Sequence, residues 1–284
     1  MNKRDSDFFW IIGGGILQQP LIKEVRSLGY KVIVSDLDPE CFCASSADIF
    51  VPIDIFDIDG HIQYSDILLK RGILIKGVLA AGIDAPETMA SLAKYIGVPG
   101  VSPEVAHLVN NKELFRKKMV EIGEHVPKFH VITDKNISEL EKIIHTIGFP
   151  LIVKNTSSSG SRGTKIFYEY NFNDIKNMVI EAMKVSRSSK ALIESVWVGS
   201  EHTVETLFDI SGKFHKCFIT DRIFDKSSGF AIETGLIHPS RLSIKDQELM
   251  YALAKNVSDS LGIKIGASKF DMILTKDGPR IIEM

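Results

Sequence analysis

The chain has 284 residues, 44% hydrophobic and 25% charged, the make-up of a globular protein long enough for two cores. Its net charge of −2 supplies no general field for nucleic acid. Three cysteines (Cys41, Cys43, Cys217) make neither a disulfide framework nor a zinc pattern, and no apolar run reaches the roughly 18 residues of a membrane span. Met1 to Trp10 is too polar for a signal peptide. A cytoplasmic protein with reduced thiols is expected, with no nucleic-acid and no membrane partner.

In chain order, Phe8–Ile12 is a short apolar strand followed by Gly13-Gly-Gly15, a helix from Ile16 to Leu28 and a second strand from Lys31 to Ser35. This is a βαβ opening with its glycines at the first turn. A strand at 49–51, a helix at 62–70, a strand at 77–80 and a helix at 85–95 continue the alternation, which predicts a parallel sheet with helices on both faces. Gly13-x-Gly15-x-x-Gln18 matches a dinucleotide turn only in part, with Gln where the third glycine belongs. A doubly wound domain that binds an organic substrate, or only packs, is preferred to NAD or FAD binding, with Asp36 adding little as a ribose ligand.

The pattern changes near Pro99-Gly-Val-Ser-Pro103, where Ser102 caps a helix that opens on Pro103. The boundary is placed at residue 101, giving a domain at 1–101 and a second at 102–284. Helices follow at 111–122, 137–147 and 172–185, and Arg116-Lys117-Lys118 reads as a solvated helix face. Residues 124–189 are expected to form a small α+β module. Strands follow at 191–196, 201–208 and 214–220, then a long helix at 244–261 and a closing hairpin at 269–284.

Two stretches carry chemistry. Leu151-Ile-Val-Lys154 leads into a loop of small residues, Ser158, Ser159, Gly160, Ser161, Arg162, Gly163 and Thr164, and ends at a return strand from Lys165. Small residues let backbone N–H groups close over a ligand, and two cations with many donors suit a polyphosphate; a flexible surface hairpin fits equally well. In the last hairpin, Thr275-Lys-Asp277-Gly278-Pro279 predicts a three-residue loop, with Thr275 opposite Pro279, Ile273 opposite Ile281 and Asp271 opposite Glu283. Paired carboxylates with no sulfur or nitrogen ligand favour Mg²⁺ or Mn²⁺, the alternative being a solvated acidic rim. Glu194 and Glu201 are acceptors suited to an adenine amino group and ribose hydroxyls, or simply exposed strand positions.

Together these residues resemble the ATP-grasp superfamily, in particular its carbamoyl-phosphate synthetase large-subunit-like and amino-acid ligase-like carboxylate–amine ligases, over nearly the whole chain. Gly-Phe-Pro-Leu-Ile-Val-Lys154 with its Ser/Gly loop is similar to the family's phosphate-clasping strand, and Asn111-Lys112-x-x-Phe115 to its first basic ATP contact. Ile193-Glu194-Ser195-Val196 followed by Glu201 resembles the adenine hinge and ribose acid, and Asp271 with Glu283 the magnesium carboxylates. Thr234-Gly235 through His238-Pro239 is similar to a substrate-side segment. The resemblance implies a Rossmann-like pre-ATP-grasp domain followed by an ATP-grasp fold, with ATP and Mg²⁺ (or Mn²⁺) as cofactors. It also implies a ligase working through an acyl phosphate on small-molecule carboxylate and amine substrates. Lys154 and Arg162 would be catalytic, Arg162 through closure of the loop, and a homodimer is a further option. In the family an Asn follows one residue after the last acid, whereas Met284 is last here, which implies an incomplete core. A catalytically incomplete nucleotide-binding fragment or partner-binding protein is therefore the alternative, and an NAD-binding oxidoreductase a third reading.

Overall fold

The computed structural model describes residues 7–157, 163–225 and 232–284. The chain divides into two compact units, residues 1–107 and 108–284. The first is built on β1 (Asp7–Ile12), α1 (Gln19–Ser27), β2 (Lys31–Asp36), β3 (Ile49–Pro52), α2 (Ile58–Lys70), β4 (Leu74–Ala80) and α3 (Pro86–Ile96). Its four strands are parallel in the order β3-β2-β1-β4. Both faces are covered, as continuous apolar strands require. Trp10, Ile12, Ile33 and Leu92 fill one core, and Ile11, Ile22, Val32 and Val34 the other.

The helix expected from Ile16 is a 3-10 turn over Ile16–Gln18 before α1 proper, because Pro20 fits only the first turn of an α-helix. The helix α2 starts four residues earlier than apolar periodicity indicates, since the Asp57 side chain caps it by accepting from the Gly60 N–H at 2.9 Å. As expected, Ser102 caps α4 (Pro103–Asn110), its Oγ accepting from the Val105 N–H at 3.2 Å.

The second unit holds two antiparallel sheets. After α5 (Lys112–Glu121) come β5 (Phe129–Ile132), α6 (Leu140–Ile147), β6 (Leu151–Asn155), β7 (Lys165–Phe167), α7 (Phe172–Val185) and β8 (Ala191–Ser195). These strands run in the order β5-β8-β6-β7, so β8 is an inner strand of the small sheet. Ile143, Ile144 and Ile147 of α6 and Ile175, Val179 and Ala182 of α7 pack on Leu151, Val153, Ala191 and Ile193. That burial uses the odd positions of β6 and β8, leaving Lys154 and Glu194 on the opposite face.

The larger sheet comprises β9 (Ser200–Phe208), β10 (Phe214–Asp225), β11 (Ile232–Ile237), β12 (Gly266–Thr275) and β13 (Gly278–Glu283), with α8 (Ile244–Ser260) between β11 and β12 in sequence. The strand order is β11-β10-β9-β12-β13. The helix α8, capped by Ser243, contributes Met250, Ala254 and Val257 to the buried side, where Val204, Ile219, Phe270 and Met272 are also enclosed. The mixed fold, a parallel sheet followed by antiparallel sheets, is the expected class. No helix among the described residues is long and apolar enough to cross a membrane.

Candidate nucleotide site

The strand β6 delivers Lys154 to a buried position, with only 7% of the residue exposed. Its Nζ lies 2.5 Å from Glu194 Oε2. The other Glu194 oxygen accepts from Arg116 Nε at 2.6 Å, and Arg116 Nη2 reaches Oε2 at 3.3 Å. Arg116 and Glu194 are each 2% exposed. One carboxylate between two cations leaves a unit of positive charge away from bulk water, a state that an anion completes. Burial draws the Lys154 pKa down, while the neighbouring Glu194 carboxylate opposes that pull. Burial would raise Glu194, but Arg116 and Lys154 outweigh it and hold the carboxyl below its ordinary value.

Lys112 opens α5. The Asn111 side chain caps that helix by accepting from the Leu114 N–H at 3.1 Å, and the Lys112 N–H donates to the Thr156 carbonyl at 2.9 Å. The helix start is thus fastened to the end of β6. Lys112 Nζ lies 3.5 Å from Glu283 Oε2, which ties the start of α5 to the last strand of the large sheet.

Asp271 does face Glu283 across β12 and β13, but by another route than expected. The turn is one residue tighter, pairing Thr275 with Gly278 and Ile273 with Arg280. A bulge at Ile282 then restores the register at Asp271 and Glu283. Gly278 carries φ +104°, which explains why glycine closes this turn.

Asp271 is 4% exposed, and its oxygens are held by named donors. Arg222 Nη1 lies 2.7 Å from Oδ2; Lys269 Nζ lies 2.7 Å from Oδ1, and Thr203 Oγ1 donates to Oδ1 at 3.4 Å. The two acids shift in opposite directions. Burial lifts the Asp271 pKa, with Glu283 adding to it, against Arg222 and Lys269. For Glu283 burial is outweighed by Lys112, Lys154, Arg116 and Lys269, which bring it down to about 2. Among the described residues no group of three or more His, Cys, Asp or Glu side chains makes a metal cage. Two opposed carboxylates offer only oxygen, and suit a hard ion that draws its other ligands from phosphates and water.

The remaining expected residues are placed unevenly. The Ser195 Oγ accepts from the Lys128 N–H at 3.1 Å, and the Val196 N–H donates to the Pro150 carbonyl at 3.0 Å. Glu201 pairs with Ile273, two residues along β9 from the Thr203 that pairs with Asp271, so it shares their face. It lines a cavity of about 350 Å³ with Ser200, His202, Asp221, Arg222 and Arg241. Gly163 has φ +64°, and a Cβ there would lie 2.7 Å from Val185 Cγ2 and 3.1 Å from Ala182 Cα, so the return into β7 needs glycine. Thr164 follows, half-buried. Ser158, Ser159, Gly160, Ser161 and Arg162 lie outside the described residues.

Two further expectations are corrected: Arg116 is no solvated residue but the buried fork on Glu194, whereas the neighbouring Lys117 side chain is 60% exposed, and Glu194 is no exposed strand position but a buried carboxylate engaged by Arg116 and Lys154. A signal was present, since Lys112 and Arg116 are four apart and share a helix face with Phe115 and Met119. Two further cations at Asp271 are absent from the sequence reading: Lys269 lies two residues before it on the same face of β12, whereas only sheet register brings Arg222 there from β10.

In the first unit the glycine turn is occupied by the chain itself. The Gly14 N–H donates to Asp36 Oδ2 at 2.8 Å, the Cys43 N–H donates to the Gly14 carbonyl at 2.8 Å, and the Gln18 amide donates to the Ala81 carbonyl. A Cβ on Gly14 would lie 2.2 Å from Cys41 Sγ. The N–H that a pyrophosphate would use at Gly14 therefore has a carboxylate already.

A family model described as an ATP-grasp domain matches residues 147–284. The carbamoyl phosphate synthase large chain of Kocuria rhizophila is 28% identical over 192 residues, covering 65% of this chain and 17% of that protein. Carnosine synthase 1 of Homo sapiens is 20% identical over 293 residues, covering 95% and 35%. The chain thus spans about a third or less of the length of these relatives. Among solved structures, an ADP complex of N5-carboxyaminoimidazole ribonucleotide synthetase superposes with a TM-score of 0.78 at 20% identity, covering 98% of this chain and 70% of that one. That likeness establishes the fold. With the match over residues 147–284, which include Lys154, Glu194, Asp271 and Glu283, this part of the chain is an ATP-grasp domain.

Proposed function

We propose that residues 108–284 bind ATP between the two antiparallel sheets and use it to join a carboxylate to an amine. The observation that carries this reading is the buried Arg116–Glu194–Lys154 group, two cations on one carboxylate, beside the Lys112–Glu283 pair. Lys154 and Lys112 meet the phosphate oxygens, and Arg116 positions Lys154 by fixing Glu194. Ser195 and Val196 form the hinge for the purine, the Val196 carbonyl accepting from its exocyclic amine while the Val196 N–H stays on the Pro150 carbonyl. Glu201 accepts from ribose hydroxyls. Ser158, Ser159, Gly160, Ser161, Arg162, Gly163 and Thr164 are assigned to the phosphates by the family resemblance. Magnesium or manganese, when bound at Asp271 and Glu283, supplies neutralisation of the phosphate charge.

The reaction follows from the family's ligase members. A carboxylate oxygen of the acid substrate attacks the terminal phosphorus, ADP leaves, and the amine nitrogen then displaces phosphate from the acyl carbon. Both steps concentrate negative charge, which the fixed cations stabilise without reorganising. Release of ADP and phosphate with Mg²⁺ and a panel of amino acids and amines tests the ligase. Release that depends on one acid and one amine is expected; ATP binding with no substrate-dependent release in any well would favour the nucleotide-binding fragment instead.

A further inference from the structure

Asp271 brings with it a competitor for any metal. The guanidinium of Arg222 donates from Nη1 to Asp271 Oδ2 at 2.7 Å. Lys269 Nζ holds Oδ1 at 2.7 Å. The two cations differ in freedom. The Lys269 side chain is 55% exposed and sits on the same strand as Asp271, whereas the Arg222 side chain is 16% exposed and comes from β10. Arg222 has a second anchor, its Nε donating to Glu233 Oε2 at 2.7 Å, and it stacks over the Phe224 ring at 4.7 Å. It also lines the cavity of about 350 Å³ beside Glu201 and Arg241. Arg222 can therefore leave Asp271 Oδ2 while Glu233 and Phe224 retain it, with open space to receive the freed end.

We propose that Arg222 is a positioning residue that competes with a divalent ion for Asp271, stays parked on Glu233 when the ion binds, and so sets the metal affinity of the site. This rests on the reading of Asp271 and Glu283 as metal ligands. A fixed positive charge one hydrogen bond from a carboxylate oxygen both occupies that oxygen and repels an incoming cation, most strongly where water is excluded. Removing it leaves a carboxylate open to the ion.

The test is Mn²⁺ binding to the whole protein without nucleotide, followed by the electron paramagnetic resonance of free Mn²⁺ at pH 8. Arg222→Gln should bind Mn²⁺ about tenfold tighter than the unaltered protein, roughly the 1.4 kcal/mol of one partly screened charge. Arg222→Lys should stay close to the unaltered protein, and Asp271→Asn combined with Arg222→Gln should lose the gain. Lys269→Gln, at an exposed position that does not threaten folding, should tighten binding by a smaller factor. A purely structural Arg222 would weaken binding when replaced. Unchanged or weaker Mn²⁺ binding by Arg222→Gln with native circular dichroism overturns the inference, as does Lys269→Gln without any gain if Arg222→Gln does not fold. Absence of Mn²⁺ binding in all variants overturns the metal reading as well, which separates the two failures.

Discussion

Arg116 shows how a single side chain can govern a site that it does not enter. Its fork on Glu194 holds the acid that in turn holds Lys154, all three nearly free of solvent. Replacing it with alanine leaves Glu194 with one cation and an unfilled space, and should lower stability by about 3–5 kcal/mol in urea unfolding. A second buried acid gives a pH signature. Asp221 accepts from Ser240 Oγ at 2.5 Å, the Arg241 N–H at 3.1 Å and Arg241 Nε at 3.0 Å, and pairs with His202 Nδ1 at 3.0 Å. Burial would raise its pKa, but these partners bring it from 3.8 to about 2. A lowered folded-state value stabilises the protein above the unfolded value near 4, and that contribution is lost as pH falls towards 2, amounting to about 2 kcal/mol. Asp221→Asn should flatten the stability profile in that window; an unchanged slope between pH 4 and 2 would show that Asp221 does not control it. Lys154 and Glu194 were legible as chemistry because each ends a short apolar strand. Helical spacing puts Arg116 on the buried face of α5, but its partner is distant in sequence and its neighbours Lys117 and Lys118 make the run read as a surface cluster.

At the scale of elements, the acidic pair depends on a compensation. The sequence predicts the right opposition of Asp271 and Glu283 through a looser turn; the tight turn at Gly278 and the bulge at Ile282 reach it together. Turn chemistry indicates a hairpin, but bulges follow from twist and packing across several strands, which local sequence does not encode. The same limit hid β5 and β11, short strands that lack a clean alternation. Helix α7 was legible to the residue because Asn171 caps it and its apolar positions recur at helical spacing. Gly163 joins two elements, turning the chain into β7 under α7. Gly163→Ala should cost about 1–3 kcal/mol from the left-handed backbone and the contact with Val185. Adding Val185→Ala should recover only part, because Ala182 Cα and the backbone angle remain. Full recovery in thermal unfolding would show that the backbone carries no strain.

For the whole molecule, the order of patterns carried most of the fold. Continuous apolar strands alternating with helices gave the parallel sheet of the first unit, and the later hairpins gave the antiparallel sheets of the second. The glycine turn of the first unit was ambiguous by sequence because glycines report backbone freedom without saying what fills it; here Asp36, Cys41, Cys43 and Gln18 do. The family match over residues 147–284 and the buried surplus cation both direct attention to the second unit. The most direct test is the affinity of the whole protein for ATP with Mg²⁺, by isothermal titration, beside Lys154→Met. The unaltered protein should bind ATP, and the folded variant should bind at least about tenfold more weakly through loss of one buried charge contact. An unaltered protein that does not bind, or a folded Lys154→Met that binds equally well, would contradict the assignment of this site to ATP.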